Sequence, residues 1–81
     1  MSKPKQTVRC HGRPKKLEDN TYSKELVKCD GTLTLKDNLR DRLIYYCSLC
    51  HTQWYWDKQD EYWFLRFRQP YHSIDEPPFE E

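Results

Sequence analysis

Four cysteines in a short polar chain are the feature that most constrains what this sequence can fold into. The chain has 81 residues, of which 36% are apolar and 33% are charged, and its mean hydropathy is −1.14. A chain of this length and polarity buries too little apolar surface to offset its conformational entropy, so it needs a disulfide, a metal or a partner. The same composition excludes a multidomain enzyme, a coiled coil and a membrane span.

The composition predicts strands rather than helices. The chain contains no alanine, the best helix former, whereas aromatic residues make up 15% of it. Apolar side chains alternate with polar ones at Leu33 and Leu35 and again at Trp54 and Trp56, as in half-buried strands. We therefore expect a small, mainly-β domain with an antiparallel sheet of about three to five strands. The runs with strand character are 7–10, 25–28, 32–36, 43–47, 52–56 and 61–68.

Charge and proline divide the chain into three segments. Residues 1–6 are basic and are predicted to form a flexible arm, and residues 7–69 to form one metal-stapled β domain. Within that domain, residues 11–22 are polar and contain Pro14, which predicts a loop. Residues 70–81 are acidic and contain two adjacent prolines, which predicts a loosely held tail.

The spacing of the cysteines indicates a metal site. Cys47 and Cys50 form a CxxC pair, which can chelate one tetrahedral metal from a turn, and the pair lies between two predicted strands. Cys10 and Cys29 are each followed by x-Gly, so each is expected to end a strand in a turn. The prediction is one structural zinc held by the four thiolates of Cys10, Cys29, Cys47 and Cys50.

Several alternatives to this zinc site remain open at this point. The same four thiolates suit iron, and His11 or His51 could replace a neighbouring cysteine as ligand. Residues 47–51 also match the CxxCH pattern of haem c attachment, and four cysteines could form two disulfides. Both of these require export, and no apolar segment of a signal peptide follows Met1. We therefore expect a cytoplasmic protein, or a nuclear one in a eukaryotic cell.

These residues resemble a zinc ribbon, in which two knuckles at the ends of two hairpins hold one zinc. Cys47, Cys50 and their flanking strands resemble the second knuckle. Cys29-Asp30-Gly31, with the strand that follows, resembles the back half of the first. The chain differs from the family in the 18 residues between Cys10 and Cys29, where two residues are usual. The resemblance covers residues 7–68 and implies a zinc-stapled antiparallel sheet, but zinc ribbons serve many functions.

The sequence favours a binding module over an enzyme. Four thiolates close the coordination shell of zinc, whereas a catalytic zinc keeps one position open. No HExxH pattern and no Gly-rich phosphate loop is present, and no small-molecule substrate is indicated. We expect a non-catalytic protein.

Cations and aromatic residues suggest what this module binds. Alternation in the last strand places Tyr62, Phe64, Arg66 and Arg68 on one face, opposite Trp63, Leu65 and Phe67, which are expected to join Trp54 and Trp56 in the core. Aromatic rings stack on bases, and arginines contact phosphates. We therefore predict binding to nucleic acid or to a transcription- or replication-type nucleoprotein machine; the alternative is a small regulator or inhibitor that docks on a larger enzyme. The predicted contact residues are Arg9, Arg13, Lys15, Lys16, Tyr62, Phe64, Arg66 and Arg68.

Overall fold

A computed structural model describes residues 3–65, 70–72, 74 and 76–79, and shows a small all-β protein. Strands β1, β4, β5, β6, β7 and β8 form one antiparallel sheet in that order, and β2 pairs with β3 in a separate hairpin. The predicted fold class is confirmed, with more strands than the three to five expected. No helix in these residues could span a membrane. The strands are β1 (Thr7–Arg9), β2 (Arg13–Lys16), β3 (Tyr22–Val27), β4 (Thr32–Asn38), β5 (Arg42–Cys47), β6 (Gln53–Asp57), β7 (Tyr62–Leu65) and β8 (Pro70–Tyr71).

One face of the large sheet forms the core, as the alternation predicts. Strand β5 buries every second side chain, and the register places Trp56 opposite Trp63 on the neighbouring strands. The ring centroids of Trp56 and Trp63 lie 5.3 Å apart in an edge-to-face arrangement, a favoured geometry for aromatic pairs. The buried side chains of this core, the cysteines aside, are Leu33, Leu43, Tyr45, Trp54, Trp56, Trp63, Leu65 and Tyr71. Phe67, also expected here, lies outside the described residues.

The predicted loop at residues 11–22 is wrong in its first half, because Arg13–Lys16 forms strand β2. The loop was predicted because of Pro14, since proline has no amide N–H to donate to the hydrogen bonds of a sheet. It is tolerated here because β3 is the one strand that pairs with β2 among the described residues, and a register shift follows Pro14. The hairpin is therefore an ordered projection rather than a loop.

The expectation of a flexible arm and a loose tail also differs from the structure. Pro4 forms a β-bridge with Phe79, and the Lys5 amide donates to the Pro78 carbonyl at 2.8 Å. Pro78 is fully buried, and Phe79 packs edge-on against Trp56. Residues 4–5 thus meet residues 78–79, and the Phe79 ring packs on the core at Trp56.

Aromatic hydrogen bonds attach these segments to the sheet. The Trp63 Nε1–H donates to the Glu76 carbonyl at 2.7 Å, and the Tyr45 hydroxyl donates to the Lys5 carbonyl at 2.6 Å. The Trp54 Nε1–H donates to the Gly12 carbonyl at 3.0 Å, which fixes the base of the hairpin in the same way. Each bond satisfies a polar group on a buried ring. The large aromatic residues therefore hold the non-sheet segments in place as well as forming the core.

Candidate metal centre

The four cysteine sulfurs form one cluster at the end of the large sheet. All four Sγ atoms lie within 4.8 Å of one another. The Cys10–Cys50 and Cys29–Cys47 Sγ pairs are each 3.7 Å apart, and all four cysteines are free. Zinc–sulfur bonds of about 2.3 Å in a tetrahedron place neighbouring sulfurs about 3.8 Å apart. The cluster therefore has the donor set and the spacing of a four-thiolate metal site.

The turn after β5 supplies two of the sulfurs. Cys47 ends the strand, and its amide donates to the Thr52 carbonyl across the turn at 3.0 Å. The Cys50 amide donates to Cys47 Sγ at 3.5 Å, which stabilises negative charge on that sulfur. His51 follows with a left-handed φ of 60° and donates its amide to the Cys47 carbonyl at 2.9 Å. This CxxC turn is the second knuckle expected from the sequence.

Cys10 and Cys29 come together although 18 residues separate them. Cys10 directly follows β1, Cys29 lies between β3 and β4, and β1 pairs with β4. The Cys10 amide donates to the Gly31 carbonyl at 3.1 Å, which closes the gap between them. The intervening residues form the β2–β3 hairpin, which is an insertion between two ligands. The arrangement is consistent with a zinc-ribbon-like architecture whose first knuckle carries an inserted hairpin.

A side chain at either glycine of the chain would clash with a neighbouring residue, and at Gly31 it would clash with the cluster itself. A Cβ on Gly31 would lie 2.6 Å from Cys47 Sγ and 3.3 Å from Cys29 Sγ. Gly12 has a φ of 108°, and a Cβ there would lie 2.6 Å from the Val27 carbonyl oxygen. The amides of these glycines approach Cys29 Sγ at 3.4 Å and Cys10 Sγ at 3.5 Å, respectively. The Cys-x-Gly pattern thus brings the backbone close to each sulfur.

The protein environment shifts the pKa values of two of the thiols in opposite directions. Burial raises the pKa of Cys10 well above its usual value, in spite of a hydrogen bond with Gly12. Burial also acts on Cys50, but hydrogen bonds with Thr52 and the neighbouring sulfurs outweigh it and lower the pKa of Cys50 to about 7. Cys50 therefore becomes a thiolate more readily than Cys10 does. A divalent metal binds thiolates, so metal binding releases the protons of thiols that are not yet ionised.

Neither histidine predicted as a substitute ligand belongs to the cluster, which among the described residues contains the four cysteines. The His11 ring packs against Trp63, with centroids 4.4 Å apart, and its buried Nε2 has no hydrogen-bond partner. Burial lowers the pKa of His11 to about 4, so the ring is neutral at pH 7. The exposed His51 accepts or donates a hydrogen bond of 2.6 Å between its Nδ1 and the Tyr46 hydroxyl. His11 thus packs in the core, and His51 orients a tyrosine.

A cleft lies between the β2–β3 hairpin and the second knuckle; we call it the hairpin cleft. Its volume is about 740 Å³, and none of the described residues that line it is acidic. Three of the predicted contact residues, Arg13, Lys15 and Lys16, lie on its hairpin side. The lining residues are Arg13, Pro14, Lys15, Lys16, Tyr22, Val27, Tyr46, Cys50, His51, Thr52, Gln53 and Leu65.

The other predicted contact residues lie elsewhere. Arg9 is exposed on β1, and Tyr62 is half-buried beside His72. Phe64 is buried, and its ring stacks on Tyr55 with centroids 5.2 Å apart. Arg66 and Arg68 lie outside the described residues. Of the predicted contact residues, those on the hairpin are the ones that share a concave site.

Sequence reasoning missed Tyr46 and Gln53, which face the hairpin cations across the cleft. They pair in register on β5 and β6, on the face of the sheet opposite the core. Alternation could have placed Tyr46 on that face, since Tyr45 and Cys47 are core residues, but it could not have placed the hairpin beside it. Comparison of the chain with protein-family models, with curated proteins and with solved structures finds no match.

Proposed function

We propose that this protein is a non-catalytic zinc-binding module that binds nucleic acid through the hairpin cleft. Its metal-binding part rests on the four-cysteine cluster. Four thiolates leave zinc no open position for substrate or water, so the metal serves the fold. Cys10, Cys29, Cys47 and Cys50 would hold it, and it would supply the cross-link that a chain with this small core needs.

The observation that carries nucleic-acid binding is the lining of the hairpin cleft. Arg13, Lys15 and Lys16 are three cations within four residues, and no acid accompanies them in the described lining. The formal net charge of the whole chain is only +1, so this positive charge is local. A concave surface lined by one sign of charge concentrates the opposite charge, and arginine and lysine bind phosphates through charge-assisted hydrogen bonds.

A binding titration at several salt concentrations tests this proposal. Three phosphate contacts on a single strand give a slope of about −2 in a plot of log K against log salt concentration. We expect the affinity of a fluorescently labelled 12-nucleotide oligomer to fall about twentyfold between 50 and 200 mM salt. The Arg13→Gln, Lys15→Gln, Lys16→Gln triple variant should lose most of the binding and most of this slope.

A matched variant controls for net charge. Lys3, Lys5 and Arg40 are exposed cations that do not line the cleft. Changing all three to glutamine lowers the formal net charge from +1 to −2, as the cleft variant does. The proposal predicts that this control binds the oligomer almost as the wild type does. Equal losses in the two triple variants would show that binding depends on overall charge and would refute a role for the cleft.

A protein-binding module is the second candidate, and the outer face of the large sheet favours it. Tyr55 and Phe64 stack there, and the Arg42 guanidinium lies 5.9 Å from the centre of the Phe64 ring. Tyrosine and arginine are enriched in protein interfaces. Arg42→Gln should weaken binding to a protein partner in a pull-down without changing oligonucleotide binding, because Arg42 does not line the cleft. Unchanged binding to the protein partner together with weaker oligonucleotide binding would reject this candidate.

A further inference from the structure

We propose that the hairpin cleft takes single-stranded nucleic acid, with the Tyr46 ring as a platform for a base and the hairpin cations at the phosphates. This inference rests on the proposed function and goes further, because it names the class of nucleic acid and the residue that distinguishes it. Tyr46 and the hairpin cations line opposite sides of one cleft.

The size of the cleft favours a single strand. Its volume of about 740 Å³ lies within the range of about 300–1,000 Å³ found for sites that enclose compact ligands. Nucleotides of a single strand can enter such a site one at a time, because their bases are not held in a duplex. A duplex is instead recognised by protein elements that project into its grooves.

The β2–β3 hairpin is such a projecting element, but its charge opposes insertion into a duplex groove. Its turn contains Glu18 and Asp19, whereas the cations lie along β2, from Arg13 at the base of the hairpin to Lys16, the last paired residue before the turn. Hydrogen bonds with Thr21 lower the pKa of Asp19, so its carboxylate stays ionised. A tip that carries two negative charges is repelled by phosphates on both sides of a groove. The attractive surface therefore lies in the cleft and not at the tip.

Tyr46 has the contacts expected of a preorganised platform. Its hydroxyl is held by His51 at 2.6 Å, which fixes the direction of the ring. The ring is half-buried, and the Lys36 ammonium lies 5.4 Å from its centroid. This ammonium lies over one face of the ring, so a base would stack on the other face. Stacking on aromatic rings tolerates any base, because every base has a π face.

Gln53 adds a polar group beside the platform. It pairs with Tyr46 in register, and its Oε1 accepts a hydrogen bond of 3.0 Å from the Tyr55 hydroxyl. This bond uses the carbonyl oxygen and leaves the amide NH₂ to donate to the edge of a base. The cleft thus offers a stacking ring and cations, the two kinds of contact on which binding of single strands rests, together with an amide donor.

The four-cysteine cluster lies between the two walls of the cleft, which are the β2–β3 hairpin and the second knuckle. Cys10 and Cys29 flank the hairpin that carries the cations, and Cys47 and Cys50 flank the knuckle next to Tyr46. Bonds from one metal to all four sulfurs would join these walls directly. Metal removal should therefore abolish binding to a single strand.

Fluorescence anisotropy with zinc-loaded protein tests the inference. The probes are labelled single strands of twelve thymidines or twelve uridines and a mixed-sequence DNA duplex of the same length. We expect the single strands to bind at least about tenfold more tightly than the duplex. Tyr46→Ala should weaken their binding about tenfold, whereas Tyr46→Phe, which keeps the ring, should bind nearly as the wild type does. Tyr62→Ala is the matched control, because Tyr62 is half-buried like Tyr46 and does not line the cleft.

The outcomes separate this inference from the proposed function. Equal or tighter binding of the duplex overturns the single-strand inference and leaves the nucleic-acid function standing. Unchanged binding by Tyr46→Ala, in a variant that retains its metal and its circular dichroism spectrum, overturns the platform. Binding of a poly-glutamate peptide as tight as that of the oligomers shows attraction by charge alone and overturns the inference. Failure of every nucleic acid to bind the zinc-loaded protein refutes the proposed function itself.

Discussion

Gly31→Ala isolates the geometry of the metal centre from the chemistry of its ligands, because it changes no sulfur. The added Cβ would lie 2.6 Å from Cys47 Sγ, which is about 0.8 Å short of the 3.4 Å at which ordinary contact begins. The Leu49 Cβ, 2.9 Å away, blocks movement in a second direction. The φ of Gly31 lies outside the left-handed region, so the clash alone opposes a side chain at this position.

A shift of this size exceeds what a metal site tolerates. Metal–ligand distances hold to about ±0.2 Å, so Cys47 Sγ cannot move by about 0.8 Å and stay bound. Disturbance of groups that orient metal ligands commonly costs 10- to 100-fold in metal affinity. We expect at least a tenfold loss for Gly31→Ala. Each tenfold loss lowers the free energy of unfolding of the metal-bound protein by about 1.4 kcal/mol.

Competition with a chromophoric zinc chelator measures the affinity, and thermal unfolding followed by circular dichroism measures the stability. Asp30→Ala is the matched control, since Asp30 is the exposed neighbour of Gly31 in the same turn. It should retain the wild-type affinity. Wild-type zinc affinity in Gly31→Ala would refute the argument that the backbone approaches the sulfurs too closely for a side chain.

Three further predictions concern the core. His11→Phe should raise the free energy of unfolding by about 1 kcal/mol in urea titrations, because it removes a buried nitrogen without a partner; loss of metal would contradict His11 as a core residue. Phe79→Ala should lower that free energy by about 2 kcal/mol, which is less than the 3–5 kcal/mol lost at a fully buried phenylalanine. The control Leu17→Ala removes an exposed side chain and should change it little. Equal effects of the two substitutions would refute the packing of Phe79 on the core. Burial raises the pKa of Tyr71, so the unfolded chain loses this proton first and stability falls as pH rises above 10. Tyr71→Phe should reduce this loss of stability between pH 9 and pH 11. An unchanged loss would show that the Tyr71 hydroxyl is not its source.

The sequence predicts the large sheet because its strands obey one simple rule. Alternation at Leu33 and Leu35 and at Trp54 and Trp56 requires one buried face, and the structure buries that face. The clustering of the four cysteines could also be predicted, since thiols this frequent in a short polar chain indicate a metal site or disulfides. Pro14 and the acidic tail were misread, because local composition does not show that β2 pairs with β3 or that Phe79 reaches Trp56.

The hairpin cleft lay beyond prediction for a different reason. Arg13 and Tyr46 are far apart in the chain, and no sequence motif links the two positions. They become neighbours because Cys10 and Cys50 meet in one cluster and the hairpin projects from it. A site of this kind depends on tertiary contacts across the metal cluster, which periodicity and residue propensity do not contain.

The most direct test of the central claim is the metal content of the purified protein, with far-ultraviolet circular dichroism before and after chelation. The account predicts one zinc per chain and loss of the β spectrum when the zinc is removed, since the metal supplies the cross-link that so small a core needs. One iron per chain would keep the four-thiolate site and overturn zinc as its metal. A metal-free protein with an intact spectrum would contradict the metal-stapled fold.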